Sequence, residues 1–537
     1  MNHHPNDHPY PSRRSVTYGK NAMVATSQPL AAQAGLDMMK KGGNAIDAAI
    51  ATAACLTVVE PISNGIGGDT FAMVWMKGVL HGLNASGAAP QNISIDQVKK
   101  QGYRQMPTLG WLPVTVPGTP SAWAELSRKF GKLPFIDVLE PAIQYAREGY
   151  PVSPLISHDW HKLFNYYAKF ACQQTFKEWY QVFAPLGRAP LPGEIWRSEG
   201  HAKTLEAIGI SHAKRFYRGE IAEQIVAESR KNGGFFELED LACYQPEWVK
   251  PISVPYRGYE VWELPPNGQG IIALAALNIL KSFSFTTREA AATVHAQIEA
   301  LKLAFVAGKN AISDPRHMGA DQITHLLSER FACESAQKIT TTAIYPEDVD
   351  LPKGGTVYLC TADHEGNMVS YIQSNYLGTG AGVVISGTGI AMQNRGCEFK
   401  LNPDHANALV GGKKTYHTII PGFLTRKGQA VGPFGVMGGY MQPQGHVQLL
   451  MNTLDFQLNP QMALDAPRFR WIEGRAVEVE KDFPTHLVEA LVARGHDVKI
   501  NLDKSSFGRG QSIWRDPKTN VLIGATESRC DGAVVAY

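Results

Sequence analysis

GGTVYLCTADHEGNMVSYIQ, residues 354–373, consists of two apolar runs on either side of a polar segment. The runs Val357–Ala362 and Met368–Gln373 are rich in residues that favour β-strands. Between them, residues 363–367 read DHEGN, a composition typical of turns. The sequence therefore predicts a β-hairpin whose first strand begins directly after two glycines and Thr356.

Thr356 stands where its own amine could become a catalytic base. A threonine hydroxyl is a poor nucleophile unless a base lies beside it. Cleavage of the Gly355–Thr356 bond would give Thr356 a free α-amino group with an ordinary pKa of about 7.7–8.0, which suits a general base near neutral pH. The two glycines leave room for the turn that an attack on the Gly355 carbonyl requires. The alternative interpretation is that Thr356 only opens the hairpin as a β-forming residue.

Around this hairpin the periodicity changes from mainly helical to mainly strand. Upstream, it predicts helices at Pro29–Met39, Ala45–Thr57 and Glu299–Val306, and helix prevails from about residue 120 to 339. It also predicts a strand at Thr70–Trp75, directly after several glycines, and a second strand at Tyr256–Leu264. Residues 265–270 predict a turn before a buried helix. Downstream, further apolar runs predict strands: Thr418–Leu424, Gln429–Gly435, Leu449–Leu454 and Asp497–Ile500. Glycines at 65, 67 and 68 indicate a close backbone approach to another segment. Residues 340–355 predict an exposed connection, and no linker separates two independent domains.

The composition restricts the class of protein. The chain has 537 residues, of which 44% are hydrophobic and 19% charged, so it can bury a large core and is not disordered throughout. Its 51 Lys and Arg nearly balance 49 Asp and Glu, for a formal net charge of +2. Because no long block of one charge occurs, the sequence indicates neither a nucleic-acid partner nor an anionic membrane.

The cysteines and the N-terminus bear on the compartment. Seven scattered cysteines with no C-x-x-C pair indicate neither a disulfide framework nor a zinc ribbon, and a reducing compartment is the simpler interpretation. Residues 1–17 predict a flexible leader without the apolar core of a signal peptide, and His3, His4 and His8 fit a solvated tail better than a metal site. We expect a soluble, cytoplasmic protein that does not bind a membrane.

Several common active sites can be searched for in the sequence and are absent. It contains no G-x-x-x-x-G-K-[ST] phosphate loop, no G-x-S-x-G nucleophile elbow and no H-E-x-x-H zinc motif. Residues 378–382 (GTGAG) and 387–389 (GTG) do not complete a G-x-G-x-x-G fingerprint, so a dinucleotide enzyme is only an alternative. We therefore expect no cofactor and no metal.

Motifs along the chain resemble those of the γ-glutamyltranspeptidase family, from about residue 18 to the C-terminus. Each fragment alone is weak, but they occur in the family's order. Upstream they are Gly42-Gly43-Asn44-Ala45-x-Asp47-Ala48-Ala49, Val116-Pro117-Gly118-Thr119, Tyr256-Arg257-Gly258-Tyr259 and Pro265-Pro266-x-x-x-Gly270. From the hairpin onward they are Thr356, Asp363-x-x-Gly366-Asn367-x-Val369-Ser370, Ser374, Gly378-Thr379-Gly380, Gly387-x-Gly389-Ile390-x-x-x-Asn394, Asn402-Pro403, Pro421, Val436-x-Gly438-Gly439, Asn459-Pro460 and Ala466-Pro467-Arg468-Phe469.

The resemblance implies an N-terminal-nucleophile hydrolase of the α+β class, a four-layer αββα sandwich that is made as one precursor and cuts itself. By the same resemblance, residues 18–355 would form the large subunit and residues 356–537 the small subunit. Both would belong to one interleaved fold, which accounts for the missing linker. The two fragments would remain together as a heterodimer, with a dimer of heterodimers as an open alternative.

The resemblance also implies roles for individual residues. Thr356 would be the nucleophile, and Gly355–Thr356 the cleaved bond. Ser374 would be the hydroxyl residue near the nucleophile's amine, or else only a serine of the hairpin. Gly438 and Gly439 match the glycine pair whose backbone N–H groups bind the oxyanion, unless they form an ordinary turn.

The substrate-binding positions depart from the family's pattern. The arginine that binds the substrate α-carboxylate in the family is missing, since no arginine lies between Pro90 and Tyr103. The other positions of the pocket would be Tyr376 in place of an asparagine, Asn394 and Arg395 in place of Asn-Gln, Glu398 in place of the aspartate for the substrate amine, and His417 and Thr418 in place of paired serines. Arg395 could supply the missing cation from another side of the pocket.

The leading hypothesis is an autoprocessing amidase or acyltransferase that forms an acyl-Thr356 intermediate and passes the acyl group to water or an amine. Its substrate would be a small amide, with γ-glutamyl compounds such as glutathione as the family's default. The missing arginine favours an alternative, the amide of a small dicarboxylic acid such as oxamate. A non-catalytic relative that keeps the fold and binds without turnover is a further alternative.

Overall fold

The computed structural model describes residues 14–319, 321–346, 351 and 354–537. Residues 1–13 of the predicted leader lie outside the described residues, whereas Thr17 already begins a strand. Most of the predicted connection before Thr356 is described up to residue 346, and residues 347–350 and 352–353 are outside the described part.

The described strands form two large antiparallel sheets and two small ones. In chain order the strands are β1 Thr17–Gly19, β2 Ala22–Thr26, β3 Asp69–Met76, β4 Val79–Ala85, β5 Tyr150–Pro151, β6 Ile195–Trp196, β7 Glu247–Val249, β8 Ile252–Tyr256, β9 Tyr259–Glu263, β10 Gly355–Asp363, β11 Met368–Tyr376, β12 Gly422–Arg426, β13 Gln429–Met437, β14 Phe469–Glu473, β15 Ala476–Glu480, β16 Asp497–Asn501, β17 Arg509–Arg515, β18 Leu522–Thr526 and β19 Ala533–Ala536. One seven-stranded sheet has the order β1-β18-β17-β13-β12-β9-β8, and the other has the order β19-β2-β10-β11-β3-β4-β7.

Helices cover the outer faces of both sheets. In chain order they are α1 Pro29–Lys40, α2 Ala45–Val59, α3 Ile95–Lys100, α4 Thr119–Phe130, α5 Phe135–Glu148, α6 Pro154–Tyr167, α7 Lys177–Phe183, α8 Glu199–Ser211, α9 Lys214–Arg218, α10 Glu220–Lys231, α11 Leu238–Ala242, α12 Gly270–Leu280, α13 Ala291–Ala311, α14 Gln322–Leu326, α15 Glu329–Lys338, α16 Met441–Leu454, α17 Pro460–Asp465 and α18 Thr485–Ala493. No described helix combines the length and the apolar character needed to cross a membrane.

Three apolar clusters hold four layers together. One packs α2, α4, α5 and α8 on the sheet that contains β10 and β11. A second packs α12, α13 and α16 on the sheet that contains β12 and β13. The third lies between the two sheets, where the rings of Trp75 and Phe423 stack with centroids 5.9 Å apart. The predicted four-layer αββα sandwich is therefore confirmed, and the fold belongs to the α+β class.

The predicted hairpin is present at the centre of its sheet. β10 and β11 pair antiparallel through the turn at residues 363–367, with Leu359 opposite Tyr371. The pairing shifts register where the hairpin opens, since Gly355 lies opposite Tyr376 but Val357 lies opposite Gln373. This irregularity places the Gly355–Thr356 peptide bond outside the regular ladder, next to Ser374.

Two of the sequence-based assignments are wrong. Tyr256–Leu264 is not one strand, because Arg257 and Gly258 adopt positive φ angles of 50° and 81° and turn the chain between β8 and β9. The run Leu449–Leu454, predicted as a strand, is the end of helix α16. Its residues are buried on most sides, and a buried apolar run of six residues has no periodicity that separates strand from helix.

Candidate active site

Thr356 and Ser374 lie side by side at the open end of the hairpin. Both side chains are buried, and the Oγ1 of Thr356 donates to the Oγ of Ser374 over 3.2 Å. Ser374 in turn donates to the carbonyl oxygen of Gly355 over 2.7 Å and accepts from the N–H of Tyr376 over 2.8 Å. The hydroxyl of Thr356 also lies 2.5 Å from the same carbonyl oxygen of Gly355. The Ser374 hydroxyl thus polarises the peptide bond before Thr356, and the Thr356 hydroxyl lies next to that bond.

The backbone around this peptide bond is closely packed. A Cβ atom on Gly354 would lie 3.4 Å from the Cα of Gly439, and one on Gly355 would lie 3.4 Å from the Cα of Ser63. Tyr376, opposite Gly355, has a positive φ of 77°, which is rare for a residue with a side chain. Such strain is common at functional sites, where the surroundings hold the residue in place.

Gly438 and Gly439 form the turn between β13 and α16. Their φ angles are 135° and 58°, both in the region that favours glycine. The carbonyl oxygen of Gly439 accepts a hydrogen bond of 3.0 Å from the Nε2 of Gln269, and the same nitrogen donates to the carbonyl oxygen of Thr418 over 2.6 Å. Gln269 therefore ties the glycine turn to the segment that carries Thr418.

Arg395 is a buried cation beside this segment. Its Nη1 donates to the Oγ1 of Thr418 over 2.7 Å, and its guanidinium lies 4.0 Å from the centroid of the Tyr376 ring. Its Nε and Nη2 atoms are buried without a hydrogen-bond partner in the described structure. Burial lowers the pKa of Arg395, and the charges of Tyr376 and Asp69 partly oppose that effect. Two unpaired donors on a guanidinium suit a planar anion such as a carboxylate.

Asp69 accepts hydrogen bonds from residues in four segments of the chain. Its Oδ1 accepts from the backbone N–H groups of Gly87 and Gly118 and from the Nε2 of Gln393, and its Oδ2 accepts from the Nε2 of His417 over 3.0 Å. Burial raises the pKa of Asp69 to about 7. Burial, and then the charge of Arg395, lowers the pKa of His417 well below its usual value, so His417 is a neutral donor that fixes the loop before Thr418.

Glu398 is fully engaged by other side chains. One carboxylate oxygen accepts from the hydroxyl of Tyr376. The other accepts from the hydroxyl of Tyr440 over 2.7 Å and from the Nζ of Lys309 over 3.2 Å. Although burial disfavours the charged carboxylate, Lys309 and the two hydroxyls hold the pKa of Glu398 below its ordinary value. Glu398 and Lys309 therefore form a buried ion pair.

The structure brings most of the predicted site residues into one continuous set of contacts. Asn394 differs, because its side chain bonds only backbone atoms: it donates to the carbonyl of Thr108 over 2.9 Å and accepts from the N–H of Leu377 over 3.1 Å. The sequence reasoning missed four residues of the set: Asp69, Gln269, Lys309 and Tyr440. Asp69 and Gln269 lie within glycine-rich motifs of the sequence, which is a usable signal, whereas nothing local marks Lys309.

The sandwich and the threonine at the start of an interior strand together define the class of the protein, an N-terminal-nucleophile hydrolase fold. Comparison with known families then gives a match of residues 31–537 to the model for gamma-glutamyltranspeptidase, so the chain belongs to that family. It is 34% identical to the glutathione hydrolase-like YwrD proenzyme of Bacillus subtilis, over 96% of this chain and 98% of that protein.

Two further similarities extend the comparison. The chain is 33% identical to the oxamate amidohydrolase proenzyme of Klebsiella pneumoniae, over 97% of this chain and 100% of that protein. The crystal structure of cephalosporin acylase from Bacillus halodurans superposes with a TM-score of 0.97 at 58% identity, over 100% of this chain and 99% of that chain. The protein is therefore an enzyme of the γ-glutamyltranspeptidase family, a hydrolase or acyltransferase that acts on amide bonds.

Proposed function

We propose that this enzyme cuts its own chain between Gly355 and Thr356 and then uses Thr356 to hydrolyse or transfer the acyl group of amides whose acyl part carries a carboxylate. The observation that carries the proposal is the pair of hydroxyls on the scissile carbonyl, Thr356 and Ser374. The unpaired guanidinium atoms of Arg395 support the carboxylate requirement.

Self-cleavage proceeds by a shift of the acyl group from nitrogen to oxygen. The Oγ1 of Thr356 attacks the carbonyl carbon of Gly355, and its proton passes to the peptide nitrogen as the C–N bond breaks. The product is an ester between Gly355 and the Thr356 side chain, with the Thr356 amine free. Water then hydrolyses the ester, which leaves a carboxylate on Gly355 and restores the Thr356 hydroxyl. The fragments would comprise residues 1–355 and 356–537.

The same threonine then acts on the substrate. Its Oγ1 attacks the amide carbonyl while its α-amine accepts the hydroxyl proton, and the N–H groups of Gly438 and Gly439 bind the developing oxyanion. The amine passes the proton to the departing amine of the substrate, which leaves an acyl-Thr356 ester. Attack by water or by a second amine releases the acyl group and returns Thr356 to its starting state. Arg395 and Thr418 bind the acyl carboxylate throughout.

Two acyl donors meet this requirement. γ-Glutamyl compounds such as glutathione carry a carboxylate and an amine next to it, and relatives named glutathione hydrolases support them. A small dicarboxylic monoamide such as oxamate carries only the carboxylate, and the relative named oxamate amidohydrolase supports it.

The test combines mass and activity. Intact-mass analysis of the purified enzyme should find two polypeptides, the smaller beginning T-V-Y-L-C. Thr356→Ala should stay at the full 58.7 kDa and be inactive, whereas Thr356→Ser should still cut and turn over, only more slowly. An uncut wild-type chain that hydrolyses amides, or an active Thr356→Ala variant, would refute the proposal.

The acyl part is tested with two anilides that differ only in charge. The cut enzyme should release p-nitroaniline from glutaryl-p-nitroanilide much faster than from pentanoyl-p-nitroanilide, which has the same chain length and no carboxylate. Arg395→Gln should remove most of that difference while self-cleavage continues. Equal rates for the two anilides in the wild type would contradict the assigned role of Arg395.

A further inference from the structure

Lys309 lies in a setting that suits the ammonium group of a ligand. Its Nζ is 3.2 Å from a carboxylate oxygen of Glu398 and contacts the hydroxyl of Tyr440. The same nitrogen lies 4.5 Å from the ring centroid of Tyr416 and 4.3 Å from that of Tyr440. A carboxylate together with two aromatic faces is the environment in which proteins bind ammonium groups. Here a side chain of the protein itself, from the last turn of α13, fills it.

The charge of Glu398 is already paired with one cation, and both of its carboxylate oxygens accept hydrogen bonds. One oxygen is used by Tyr376, and the other by Tyr440 and Lys309. Adding a substrate ammonium would place two positive charges on one buried carboxylate, and burial makes like charges repel strongly. Displacing Lys309 instead would leave its ammonium without a counter-ion in a site where its side chain is only 10% exposed.

Arg395, which lies over the ring of Tyr376, has two donor atoms without a partner in the described structure. The guanidinium of Arg395 lies 4.0 Å from the centroid of the Tyr376 ring, and the hydroxyl of the same ring donates to Glu398. The site thus contains a cation with unpaired donors and a carboxylate whose charge is already neutralised. Its charges complement an acyl group with one carboxylate and no ammonium.

We infer that Lys309 takes the place of the substrate's α-ammonium group, so that the enzyme selects monoamides of dicarboxylic acids that lack an α-amine over γ-glutamyl amides. The inference rests on the proposed function and deepens it, because it assumes the acyl-Thr356 reaction and assigns the selectivity among its donors to one residue. Lys309 acts through Glu398 and need not contact the substrate, so it is a specificity-determining residue rather than a catalytic one.

The experiment compares two substrates that differ only in the α-amino group, glutaryl-p-nitroanilide and γ-glutamyl-p-nitroanilide. The cut wild-type enzyme should prefer the glutaryl compound in kcat/KM on the order of 100-fold, as expected when a substrate ammonium is buried without a counter-ion of its own. Lys309→Met keeps the length of the side chain and removes its charge, which frees one acceptor position of Glu398. This variant should raise kcat/KM for the γ-glutamyl compound at least about tenfold, mainly through KM, and so reduce the preference.

Two control variants separate charge from packing. Lys309→Arg keeps the cation and should keep the glutaryl preference. Lys281→Met removes a lysine that pairs with Glu329, whose side chain is exposed, and should leave both rates unchanged. Complete self-cleavage of each variant, measured by intact mass, reports that the fold is intact.

The outcomes distinguish the inference from the proposed function. Absence of turnover with either anilide by the cut enzyme would refute the proposed function itself. Comparable turnover of both anilides by the wild type, or an unchanged preference in Lys309→Met, would refute the inference alone. If Lys309→Met does not fold, inhibition of the wild type decides: glutarate should inhibit at least about tenfold more tightly than L-glutamate, and equal inhibition would overturn the inference.

Discussion

At the scale of single residues, the contacts of Ser374 change the effect that its removal is expected to have on self-cleavage. From the sequence alone, Ser374→Ala is expected to lower turnover and to affect self-cleavage less. Its hydroxyl, however, donates to the carbonyl oxygen of Gly355, the group that would be attacked in the proposed self-cleavage. Under the proposed mechanism, Ser374 would therefore assist cleavage as well as turnover.

Ser374→Ala should slow self-cleavage on the order of 10²-fold, because one donor to the developing oxyanion is lost. The measurement is the fraction of cut chain against time after purification, read by intact mass. Ser370→Ala, which removes a hydroxyl from the same strand where it bonds Tyr358, is the matched control and should cut at the wild-type rate. Normal cutting by Ser374→Ala would show that this hydroxyl only fills space.

Asp69 makes the binding of an anionic inhibitor depend on pH. Because burial raises the pKa of Asp69 to about 7, its carboxylate gains a proton as the pH falls from 8 to 6. Protonation removes the negative charge that partly neutralises Arg395, so the pocket becomes more positive. Glutarate, whose carboxylates remain ionised in this range, should therefore inhibit more tightly at pH 6 than at pH 8.

The control for this prediction is Asp69→Asn, which is neutral at both pH values. Its inhibition constant for glutarate should change less between pH 6 and pH 8 than that of the wild type, because only the Thr356 amine of the cut enzyme still gains a proton in this range. At pH 6 the constant should resemble the wild-type value. A wild-type constant that is flat with pH, or that weakens at pH 6, would contradict the assigned role of Asp69.

At the scale of elements, the turn between β13 and α16 depends on two glycines. Gly438 has a φ of 135°, and a Cβ added there would lie 3.2 Å from the Cα of Gly508. Gly438→Ala should therefore distort the turn and lower kcat on the order of 10²–10³-fold if its N–H groups bind the oxyanion. Steady-state kinetics on the glutaryl anilide would measure the loss.

Gly428, in the turn between β12 and β13, supplies a matched control. Its φ is 72°, and a Cβ there would meet nothing within 4 Å. Gly428→Ala should cost about 1–2 kcal/mol of stability through backbone strain and leave kcat unchanged. Similar losses of kcat in the two variants would indicate that the turn of Gly438 has no special catalytic role.

The elements that could be predicted from the sequence are those that are determined by residues within or next to the element itself. The hairpin β10–β11 follows from two β-forming runs and the DHEGN turn, and helix α2 from a buried run behind Asn44, whose side chain accepts from the N–H groups of Ile46 and Asp47. The turn at Arg257 was missed because arginine does not signal a positive φ. The hairpin predicts that a strand begins at Thr356, and the rest of the fold is predicted from the family motifs.

The pocket could be predicted only in part, since its contacts join distant segments. Arg395 and Glu398 were chosen from motif positions, and both are buried there. The pairing of Glu398 with Lys309, 89 residues away, follows from how α13 packs against Tyr440, and no sequence pattern records it. The assigned roles of all these residues stay predictions until the variants are measured.

At the scale of the whole molecule, both large sheets mix strands from either side of the proposed cut. In one sheet β10, β11 and β19 follow the cut, whereas β2, β3, β4 and β7 precede it, and β2 lies between β19 and β10. In the other sheet β1, β8 and β9 precede the cut and flank four strands that follow it. The fragments therefore share both sheets and their cores.

Unfolding should be far less reversible after the cut than before it. The Thr356→Ala precursor refolds as one chain, so its recovery from urea should not depend on concentration. The cut enzyme must bring two chains together, and its recovery should fall when the protein is diluted about a hundredfold during refolding. Circular dichroism after removal of urea measures both, and equal recovery at the two concentrations would contradict the shared-sheet arrangement.

The strand order also favours the synthesis of both fragments from one continuous gene. A gene split into separate messages for residues 1–355 and 356–537 would yield two polypeptides, each with inner strand edges exposed to aggregation until the other arrived. Synthesis as one continuous polypeptide avoids this exposure, because all strands belong to the same chain and can pair without waiting for a second polypeptide. The proposed cut would then be a step of maturation that only the folded chain can perform.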